Sequence, residues 1–287
     1  MTKNASWDTH VHLFDPSNFS FAPDRSYTPG HAGIDGLRQK MAEGGIERAV
    51  VVQPSVYGSD NACLLNALDS LGDRARGVAV VDPVTLDHVK IANMRARGVR
   101  GFRVNLVSGA EASAGARAVK AMASALAGSG MFLQIYAPID SVLRHAELIT
   151  HAGVPVVLDH FAGIGARAPE SQLTELIHAC GSAPVWIKMS ADYKLGLDPE
   201  SARERTMSLI RTCAALRPDH IIWGSDWPHT SGGPERKARA FGEIEPFRDV
   251  DSYAIPKLFS ASGLTPPQIQ KIMCHNPTRL FESRVAR

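Results

Sequence analysis

Residues 7–14 read WDTHVHLF, a short apolar stretch interrupted by His10 and His12. Side chains two positions apart on a β-strand point to the same face, so both imidazoles lie on one side of this predicted strand. Seven further apolar runs follow it, each typical of a strand buried on both faces. In chain order they are RAVVVQP from Arg48, GVAVVDP from Gly77, VRGFRVNL from Val99, MFLQIYAP from Met131, PVVLDHFA from Pro155, VWIKMSA from Val185 and HIIWGSDWP from His220.

The segments between these runs are polar and alanine-rich, and their apolar residues recur at helical spacing. We expect helices over 34–45, 61–71, 115–128, 141–152, 171–181 and 201–216, and we expect Asn276 and Thr278 to cap the last helix. Strands that alternate with helices indicate parallel βα units. Eight such units in 287 residues predict an α/β fold, a (β/α)8 TIM barrel that forms a single domain over residues 1–287. An open doubly wound sheet is the alternative, but no GxGxxG or GxxxxGKS/T motif follows the first strand.

The amino-acid composition and net charge limit the classes of partner that this protein can have. The chain is 44% hydrophobic and 21% charged, and its formal net charge of +2 is too small to indicate a nucleic-acid or membrane surface. No apolar run approaches the ~20 residues that cross a bilayer, and the first ten residues lack a signal-peptide pattern. We therefore expect a cytoplasmic protein without nucleic-acid or membrane partners, and its oligomeric state stays open. The four dispersed cysteines are expected to be free buried thiols.

Polar side chains gather at the carboxyl ends of the predicted strands, which meet at one mouth in a barrel. Strand six ends at Asp159 and His160, and strand eight ends at Ser225 and Asp226. Unpaired charges and imidazoles in an apolar core cost several kcal/mol, so this concentration predicts an active site. Polar residues also occur on or just after strands four, five and seven: Arg103, Asn105, Gln134, Tyr136, Lys188, Ser190, Tyr193 and Lys194.

Each of these features has a structural explanation when it is taken alone. An HxH pair arises by chance in a chain with 11 histidines, and His160 could bond to backbone. Asp226 could cap a helix, and Arg103 could form an ion pair with an acidic residue on a neighbouring strand. The combination on strands one, six and eight favours a functional site, whereas the role of His229 stays undecided.

The motifs together resemble the amidohydrolase superfamily, and in particular its 2-pyrone-4,6-dicarboxylate lactonase-like branch. The similarity covers nearly the whole chain through DTHVHLFDP, YTP, VVQPSVYGSDN, RGFRVNL, LDHF, KMSADYK, WGSDWPHT and NPTRLF. That branch also includes sulfomuconolactone hydrolases, sugar-acid lactonases and a galactarolactone isomerase. The resemblance implies an amidohydrolase-type barrel and a hydrolase that opens the carboxylic ester of a small acidic lactone.

Roles for the residues follow as expectations. We expect Asp226 to activate water as a general base, while His10, His12 and His160 polarise the lactone carbonyl and stabilise the oxyanion. Matching positions in the branch imply that Arg103 binds a substrate carboxylate. They also imply hydrogen-bond donors at Tyr27, Ser55, Tyr136 and Lys194.

One departure from the branch bears on the substrate. Pyrone dicarboxylate lactonases have further basic residues soon after the strand-four arginine, whereas here RVNL is followed by VSGAEASAG. A second anion clamp is therefore not expected. The substrate is predicted to carry one strong anionic group or hydroxyls, as in a muconolactone derivative, a pyrone carboxylate or an aldaric-acid lactone.

No cofactor is expected. Metal-dependent amidohydrolases and the related zinc decarboxylases place a lysine or histidine ligand on strand five, where this chain has Gln134 and Tyr136. The alternative is one divalent metal, zinc, held by His10, His12 and Asp226.

Three other functions remain in view. A zinc-dependent decarboxylase would use the same barrel, and a lactone isomerase would use the same residues with a substrate hydroxyl in place of water. A non-enzymatic sugar-acid binding protein is disfavoured, because binding does not need an aspartate that faces three imidazoles.

Overall fold

The computed structural model describes residues 5–107, 115–232, 236 and 238–282. Eight strands form one sheet in chain order, and each pairs in parallel with the next. They are β1 Trp7–Val11, β2 Arg48–Val52, β3 Ala75–Ala79, β4 Val99–Asn105, β5 Phe132–Tyr136, β6 Val156–Leu158, β7 Val185–Met189 and β8 Ile221–Trp223. Seven of the eight apolar runs singled out in the sequence contain one of these strands, and the run from Gly77 overlaps β3, which begins two residues earlier at Ala75. The predicted (β/α)8 barrel is confirmed.

The barrel closes where the end of β8 meets β1. The backbone N–H of Asp226 donates to the carbonyl of His10 at 2.9 Å, and that of His12 donates to the carbonyl of Trp227 at 2.8 Å. Consequently the residues that follow β8 lie directly against the two histidines of β1.

Asp8 reinforces this seam from inside the barrel wall. Its Oδ1 accepts hydrogen bonds from the backbone N–H groups of His10 at 3.1 Å and Ser225 at 2.9 Å. Burial raises the pKa of the Asp8 carboxyl to about 6, against the opposing effect of its bonds to Ser225. This aspartate therefore acts as a side-chain bridge between the first and last strands.

The barrel interior is apolar at its amino-terminal end and polar at the other. The C-terminal helix Asn276–Phe281 closes the apolar end, where Phe281 packs edge-on against Phe132 with ring centroids 5.5 Å apart. Phe132, Gln134 and Tyr136 share one face of β5. The side chains therefore change from apolar to polar toward the carboxyl end of the strand.

Asn276 and Thr278 do not cap this last helix as expected. The Asn276 amide instead donates to the carbonyls of Ile221 at 2.8 Å and Pro218 at 3.0 Å. Thr278 Oγ1 accepts from the indole N–H of Trp7 at 3.1 Å. Both side chains tie the helix to the strands, which satisfies β8 carbonyl and β1 indole groups that would otherwise be buried without partners.

Helices cover the outer face of the sheet: Ile34–Glu43, Ala62–Leu71, His88–Ala96, Ala116–Leu126, Ile139–Arg144, Ala146–Thr150, Ser171–Cys180, Pro199–Leu216, Ala254–Leu258 and Pro266–Gln270. The helix expected over 141–152 is two short helices separated at His145. The helix His88–Ala96 was not predicted. Within the described part of the chain, none of the helices has the length and apolarity needed to span a bilayer.

Two long loops cover the carboxyl-terminal mouth, one after β1 and one after β8. They join through a short parallel pairing of Thr28–Pro29 with Ile244–Glu245. Glu245, which is buried, accepts hydrogen bonds from Arg236 Nε at 2.8 Å and Nη2 at 2.7 Å. The strand pairing therefore joins the two loops above the polar end of the barrel, and the ion pair between Arg236 and Glu245 stabilises the loop after β8.

Candidate active site

A cavity of about 880 Å³ opens at this mouth. Its size lies within the range of small-molecule sites. Its wall includes His12 and all five residues expected to bind substrate: Tyr27, Ser55, Arg103, Tyr136 and Lys194. The structure therefore brings together residues from five separate parts of the sequence.

His10, His12 and Asp226 meet behind the part of this wall that His12 forms, and all three are buried. The two Nε2 atoms of His10 and His12 are 3.2 Å apart. Asp226 Oδ1 lies 3.5 Å from His10 Nε2 and 3.4 Å from His12 Nε2. The ring of His160 is 4.9 Å from that of His10, so the four residues singled out in the sequence form one cluster.

The hydrogen bonds of His12 determine which of its nitrogens is protonated. Its Nδ1 lies 2.7 Å from the carbonyl oxygen of Val52, and because a carbonyl can only accept, Nδ1 carries the proton. The Nε2 lone pair then faces His10 Nε2, 3.2 Å away, and Asp226 Oδ1, 3.4 Å away. That oxygen is buried and makes no hydrogen bond to a described residue. Two acceptors that face one point favour a water proton or a cation between them.

Lys188 on β7 orients the other histidine. Its fully buried Nζ lies 3.0 Å from His10 Nδ1, 3.1 Å from Gln134 Oε1 and 3.1 Å from Asp159 Oδ1. An ammonium group only donates, so His10 Nδ1 accepts and the ring proton resides on Nε2, toward Asp226. Burial and then the charge of Lys188 hold the pKa of His10 well below its usual range, so the ring is neutral.

Asp159 is the centre of a buried charge network. Its Oδ2 accepts from Arg103 Nε at 3.1 Å, Arg103 Nη2 at 3.0 Å and Gln134 Nε2 at 3.0 Å. Burial alone would raise the pKa of this carboxyl, but the charges of Lys188 and Arg103 hold it well below its usual range. Arg103 thus forms the ion pair that was its structural alternative, and it lines the cavity as well.

The second carboxylate, Asp226, has one engaged and one available oxygen. Its Oδ2 accepts from the hydroxyl of Tyr193 at 2.6 Å and from Lys194 Nζ at 2.5 Å. Burial would raise its pKa, yet the charge of Lys194 holds it well below its usual range. Asp226 is therefore ionised at neutral pH, and Lys194, expected to donate to substrate, contacts this carboxylate.

His160 has a free nitrogen beside this cluster, and its side chain lines a small neighbouring cavity of about 150 Å³. Its Nδ1 is 2.7 Å from Ser190 Oγ, while its buried Nε2 has no hydrogen-bond partner among the described residues. Burial is the main reason that its pKa falls to about 3, so this ring is also neutral at physiological pH. Tyr136, at the end of β5, packs edge-on against it at 4.8 Å.

An unusual backbone turn holds His160 in place. His160, Phe161 and Ala162 are consecutively left-handed, with φ of 53°, 51° and 56°. This conformation costs roughly 1–2 kcal/mol for each non-glycine residue. Gly163 completes the turn, because a Cβ there would lie 1.8 Å from the carbonyl oxygen of Ala137. Backbone strain of this kind concentrates at functional sites, and Asp226 is left-handed as well, with φ of 63°.

His229, undecided from the sequence, lies behind the cluster. It is buried, and its ring is 5.7 Å from that of Tyr193. Burial lowers its pKa to about 4. It lines a neighbouring cavity of about 650 Å³ and not the one that contains His12.

The cluster has the donor geometry of a metal site. Ligands held about 2.0–2.2 Å from a tetrahedral zinc ion lie roughly 3.3–3.6 Å apart. His10 Nε2, His12 Nε2 and Asp226 Oδ1 are separated by 3.2, 3.4 and 3.5 Å, so their spacing fits a divalent ion, which His10 would bind only after its proton leaves Nε2. Gln134 contributes nothing to it, because its amide bonds to Asp159 and Lys188.

Comparison with known proteins gives the family. The family model described as amidohydrolase matches residues 7–282. The chain belongs to the amidohydrolase family. It is therefore an enzyme, and the His10 and Asp226 cluster occupies the carboxyl-terminal mouth at which catalysis occurs in barrels of this type.

Named relatives place this amidohydrolase in the branch indicated by its motifs. It is 27% identical over 281 residues to a 4-sulfomuconolactone hydrolase of Rhizobium radiobacter, covering 96% of this chain and 89% of the relative. It is 30% identical over 286 residues to a 2-pyrone-4,6-dicarboxylate hydrolase of Comamonas testosteroni, with the same two coverages. A crystal structure of a putative 2-pyrone-4,6-dicarboxylic acid hydrolase from Pseudomonas putida superposes with a TM-score of 0.76 at 24% identity, covering 97% and 98% of the two chains.

Several residues of the site carried no assigned role in the sequence. Lys188, Gln134 and Tyr193 were visible as polar residues near strand ends, but their partners lie on other strands. Arg236 and Arg248, which also line the cavity, come from the loop region after β8 and gave no signal.

Proposed function

We propose that this amidohydrolase hydrolyses the ring ester of a small anionic lactone. The observation that carries the proposal is the position of Asp226. Its available oxygen lies 3.5 Å from the imidazole of His10 and 3.4 Å from that of His12, next to a cavity whose described wall contains His12, four cationic side chains and no carboxylate. A carboxylate among neutral imidazoles can accept a proton from water, while the cationic wall attracts an anionic substrate.

In the proposed reaction, a water donates hydrogen bonds to Asp226 Oδ1 and His12 Nε2, the two acceptors that face one point. Asp226 takes its proton as the oxygen attacks the lactone carbonyl carbon. The N–H groups at Nε2 of His10 and His160 then stabilise the oxyanion. When the tetrahedral intermediate collapses, the ring C–O bond breaks and the leaving oxygen receives the proton from Asp226. We assign His12 the task of holding this water, in place of the carbonyl polarisation expected from sequence.

Neighbouring residues orient this base. Tyr193 and Lys194 bind Oδ2 of Asp226, which leaves Oδ1 toward the water. Because the pKa of this carboxyl is depressed, it is ionised and ready to accept a proton throughout the neutral range.

We further propose that the reaction proceeds without a metal, since Gln134 occupies the strand-five position and is committed to other partners. If a divalent ion does bind, His10, His12 and Asp226 would hold it, and it would lower the pKa of water and polarise the carbonyl. Metal analysis of the purified protein, together with turnover before and after chelation, tests this. Turnover lost on chelation and restored by zinc would overturn the metal-free proposal.

The reaction itself is tested by proton release from a lactone panel that includes 4-sulfomuconolactone, 2-pyrone-4,6-dicarboxylate and an aldaric-acid lactone. We expect turnover of at least one, and Asp226→Asn should lower kcat by about 10²–10⁴-fold with substrate binding retained. Asp35→Asn, an exposed carboxylate on a helix, is the control and should leave kcat unchanged. Conversion of a lactone to an isomer without proton release would indicate the isomerase, and binding without any conversion would indicate the binding protein.

A further inference from the structure

The ring of His160 contacts a hydroxyl group, which can either donate or accept a hydrogen bond. Its Nδ1 lies 2.7 Å from Ser190 Oγ. The corresponding neighbours of His12 and His10 are a carbonyl and an ammonium group, each of which allows one direction only. The position of the His160 proton therefore depends on the direction of the hydrogen bond with Ser190.

The burial of Ser190 favours one of the two directions. This residue directly follows β7 and is 0% exposed, and within the described ranges its hydroxyl bonds to His160 Nδ1 alone. If the hydroxyl donates, Nδ1 accepts and the neutral ring carries its proton on Nε2. If Nδ1 donated, the hydroxyl hydrogen and the Nε2 lone pair would both be buried without a partner. Each unpaired buried group carries its full desolvation penalty, so the first direction is favoured.

The N–H at Nε2 is then the polar group of this pair that the protein leaves unsatisfied. No described residue accepts a hydrogen bond from it. The ring lines the small cavity of about 150 Å³, which shares the wall residues Val107, Tyr136 and Lys194 with the larger cavity. An oxygen atom of a bound ligand is the acceptor that this arrangement lacks.

The other contacts of the ring restrict its position but do not select a tautomer. The left-handed conformation of His160 fixes its backbone. Tyr136 packs edge-on against the ring at 4.8 Å, and the ring of His10 lies 4.9 Å away. Ring packing of this kind does not depend on which nitrogen carries the proton. Among the described contacts, the hydrogen bond to Ser190 is therefore the one that sets the proton position.

We propose that Ser190 is a positioning residue that holds His160 in the tautomer with its proton on Nε2, and thereby makes this ring a hydrogen-bond donor to the reacting oxygen. Lys188, two residues earlier in the sequence, holds His10 in the same tautomer. The position of the His160 proton follows from burial and hydrogen bonding alone. Its action on the reacting oxygen rests on the proposed function, because that oxygen belongs to the lactone carbonyl.

The ¹⁵N shifts of the His160 ring test the tautomer without requiring turnover. In the unaltered protein we expect a protonated Nε2 and an unprotonated Nδ1, with His160→Gln identifying the signals. Ser190→Ala removes the donor, so a population with the proton on Nδ1 should appear. Ser262→Ala, which removes a buried hydroxyl that has no described partner, is the matched control and should leave these shifts unchanged. A proton on Nδ1 in the unaltered protein, or equal tautomer populations in Ser190→Ala and the unaltered protein, would overturn the proposal.

Kinetics on any lactone that the enzyme hydrolyses test the consequence for the reaction. Ser190→Ala should lower kcat by about ten- to a hundredfold and leave KM within about twofold, because the donor acts in the transition state. Ser190→Cys keeps a weak donor of similar size and should recover part of kcat and of the Nε2 tautomer. Ser262→Ala should leave kcat unchanged.

The two measurements separate this proposal from the proposed function. Unchanged kcat in Ser190→Ala, on a lactone that the unaltered protein hydrolyses, would overturn the positioning role of Ser190 and leave the lactonase in place. The expected tautomers without hydrolysis of any lactone would refute the proposed function, whereas the control of the His160 proton by Ser190 would stand.

Discussion

At the scale of single residues, the chemistry of the site depends on where two imidazole protons reside. Val52 fixes one of them through a carbonyl that can only accept, and Lys188 fixes the other through an ammonium that can only donate. The two rings consequently differ in function although they lie two residues apart: His10 carries its proton on Nε2, and His12 carries a lone pair on the Nε2 that lies 3.2 Å from it. Lys188 is a positioning residue, since its contacts are with His10, Gln134 and Asp159.

Replacing Lys188 should therefore misplace the His10 proton. We expect Lys188→Met to lower kcat by about 10²-fold or more with a small change in KM, because it removes a contact that acts through His10 in the transition state. It should also destabilise the fold by about 3–5 kcal/mol, because Asp159 loses a buried partner. The imidazole ¹⁵N shifts of His10 measure the tautomer directly, and a population with the proton on Nδ1 is the expected result.

A second variant distinguishes positioning from simple loss of stability. Asp159→Asn combined with Lys188→Met removes both charges of this buried pair and, because Arg103 also loses its carboxylate partner, should recover only part of the lost free energy of unfolding. The kcat should remain low, because the donor to His10 Nδ1 is still absent. Recovery of kcat in parallel with stability would show that Lys188 serves the fold only.

At the scale of elements, the meeting of β8 with β1 decides where Asp226 lies relative to the histidines. Gly224 is the residue that allows this approach. An added Cβ there would lie 2.6 Å from the Cβ of His10 and 2.7 Å from its backbone nitrogen. These atoms belong to the wall of the barrel, so the added methyl cannot be accommodated by turning a flexible side chain.

Gly224→Ala should accordingly separate β8 from β1. We expect a loss of about 1–3 kcal/mol in the free energy of unfolding and a fall in kcat, because Asp226 moves relative to His10 and His12. Gly165→Ala is the matched control, since no atom lies within 4 Å of a Cβ at that position. Urea unfolding and turnover of the two variants give the comparison, and equal behaviour would contradict the proposed role of Gly224.

The elements also show what sequence could and could not predict. The eight strands were recognisable because each is a continuous apolar run, and His10, His12, His160 and Asp226 were recognisable because they end three of these runs. The left-handed turn after β6 was not, since its conformation is imposed by close packing of Gly163 against Ala137.

Contacts between residues that are distant in the sequence are the main features that could not be predicted. No local pattern could show that Lys188 binds His10, a residue 178 positions away, or that Asp8 joins β1 to Ser225, 217 positions away. Arg248 was not identified from the sequence for a related reason. Its position at the cavity depends on the pairing of Phe247 with Thr230, in the segment that follows β8.

At the scale of the whole molecule, burying neutral histidines should make stability depend on pH. The folded pKa is about 3 for His160 and about 4 for His229, and that of His10 is well below its usual range. Histidines of the unfolded chain titrate near pH 6.5, so below that pH the unfolded state binds protons that the folded state does not. Asp8 acts in the opposite direction, because its folded pKa of about 6 lets the native state take up a proton first as the pH falls.

Three histidines outweigh one aspartate, so we expect the free energy of unfolding to fall as the pH is lowered from 6.5 to 4.5. Each histidine contributes about 1.4 kcal/mol per pH unit within this window. His160→Gln should therefore flatten the dependence by about that slope, whereas His178→Gln, which alters an exposed side chain, should not. Urea unfolding in chelator at several pH values gives these slopes, and parallel lines for wild type and His160→Gln would contradict the neutral buried His160.

The same unfolding curves test the single domain predicted for residues 1–287, because a single domain requires one cooperative transition at every pH.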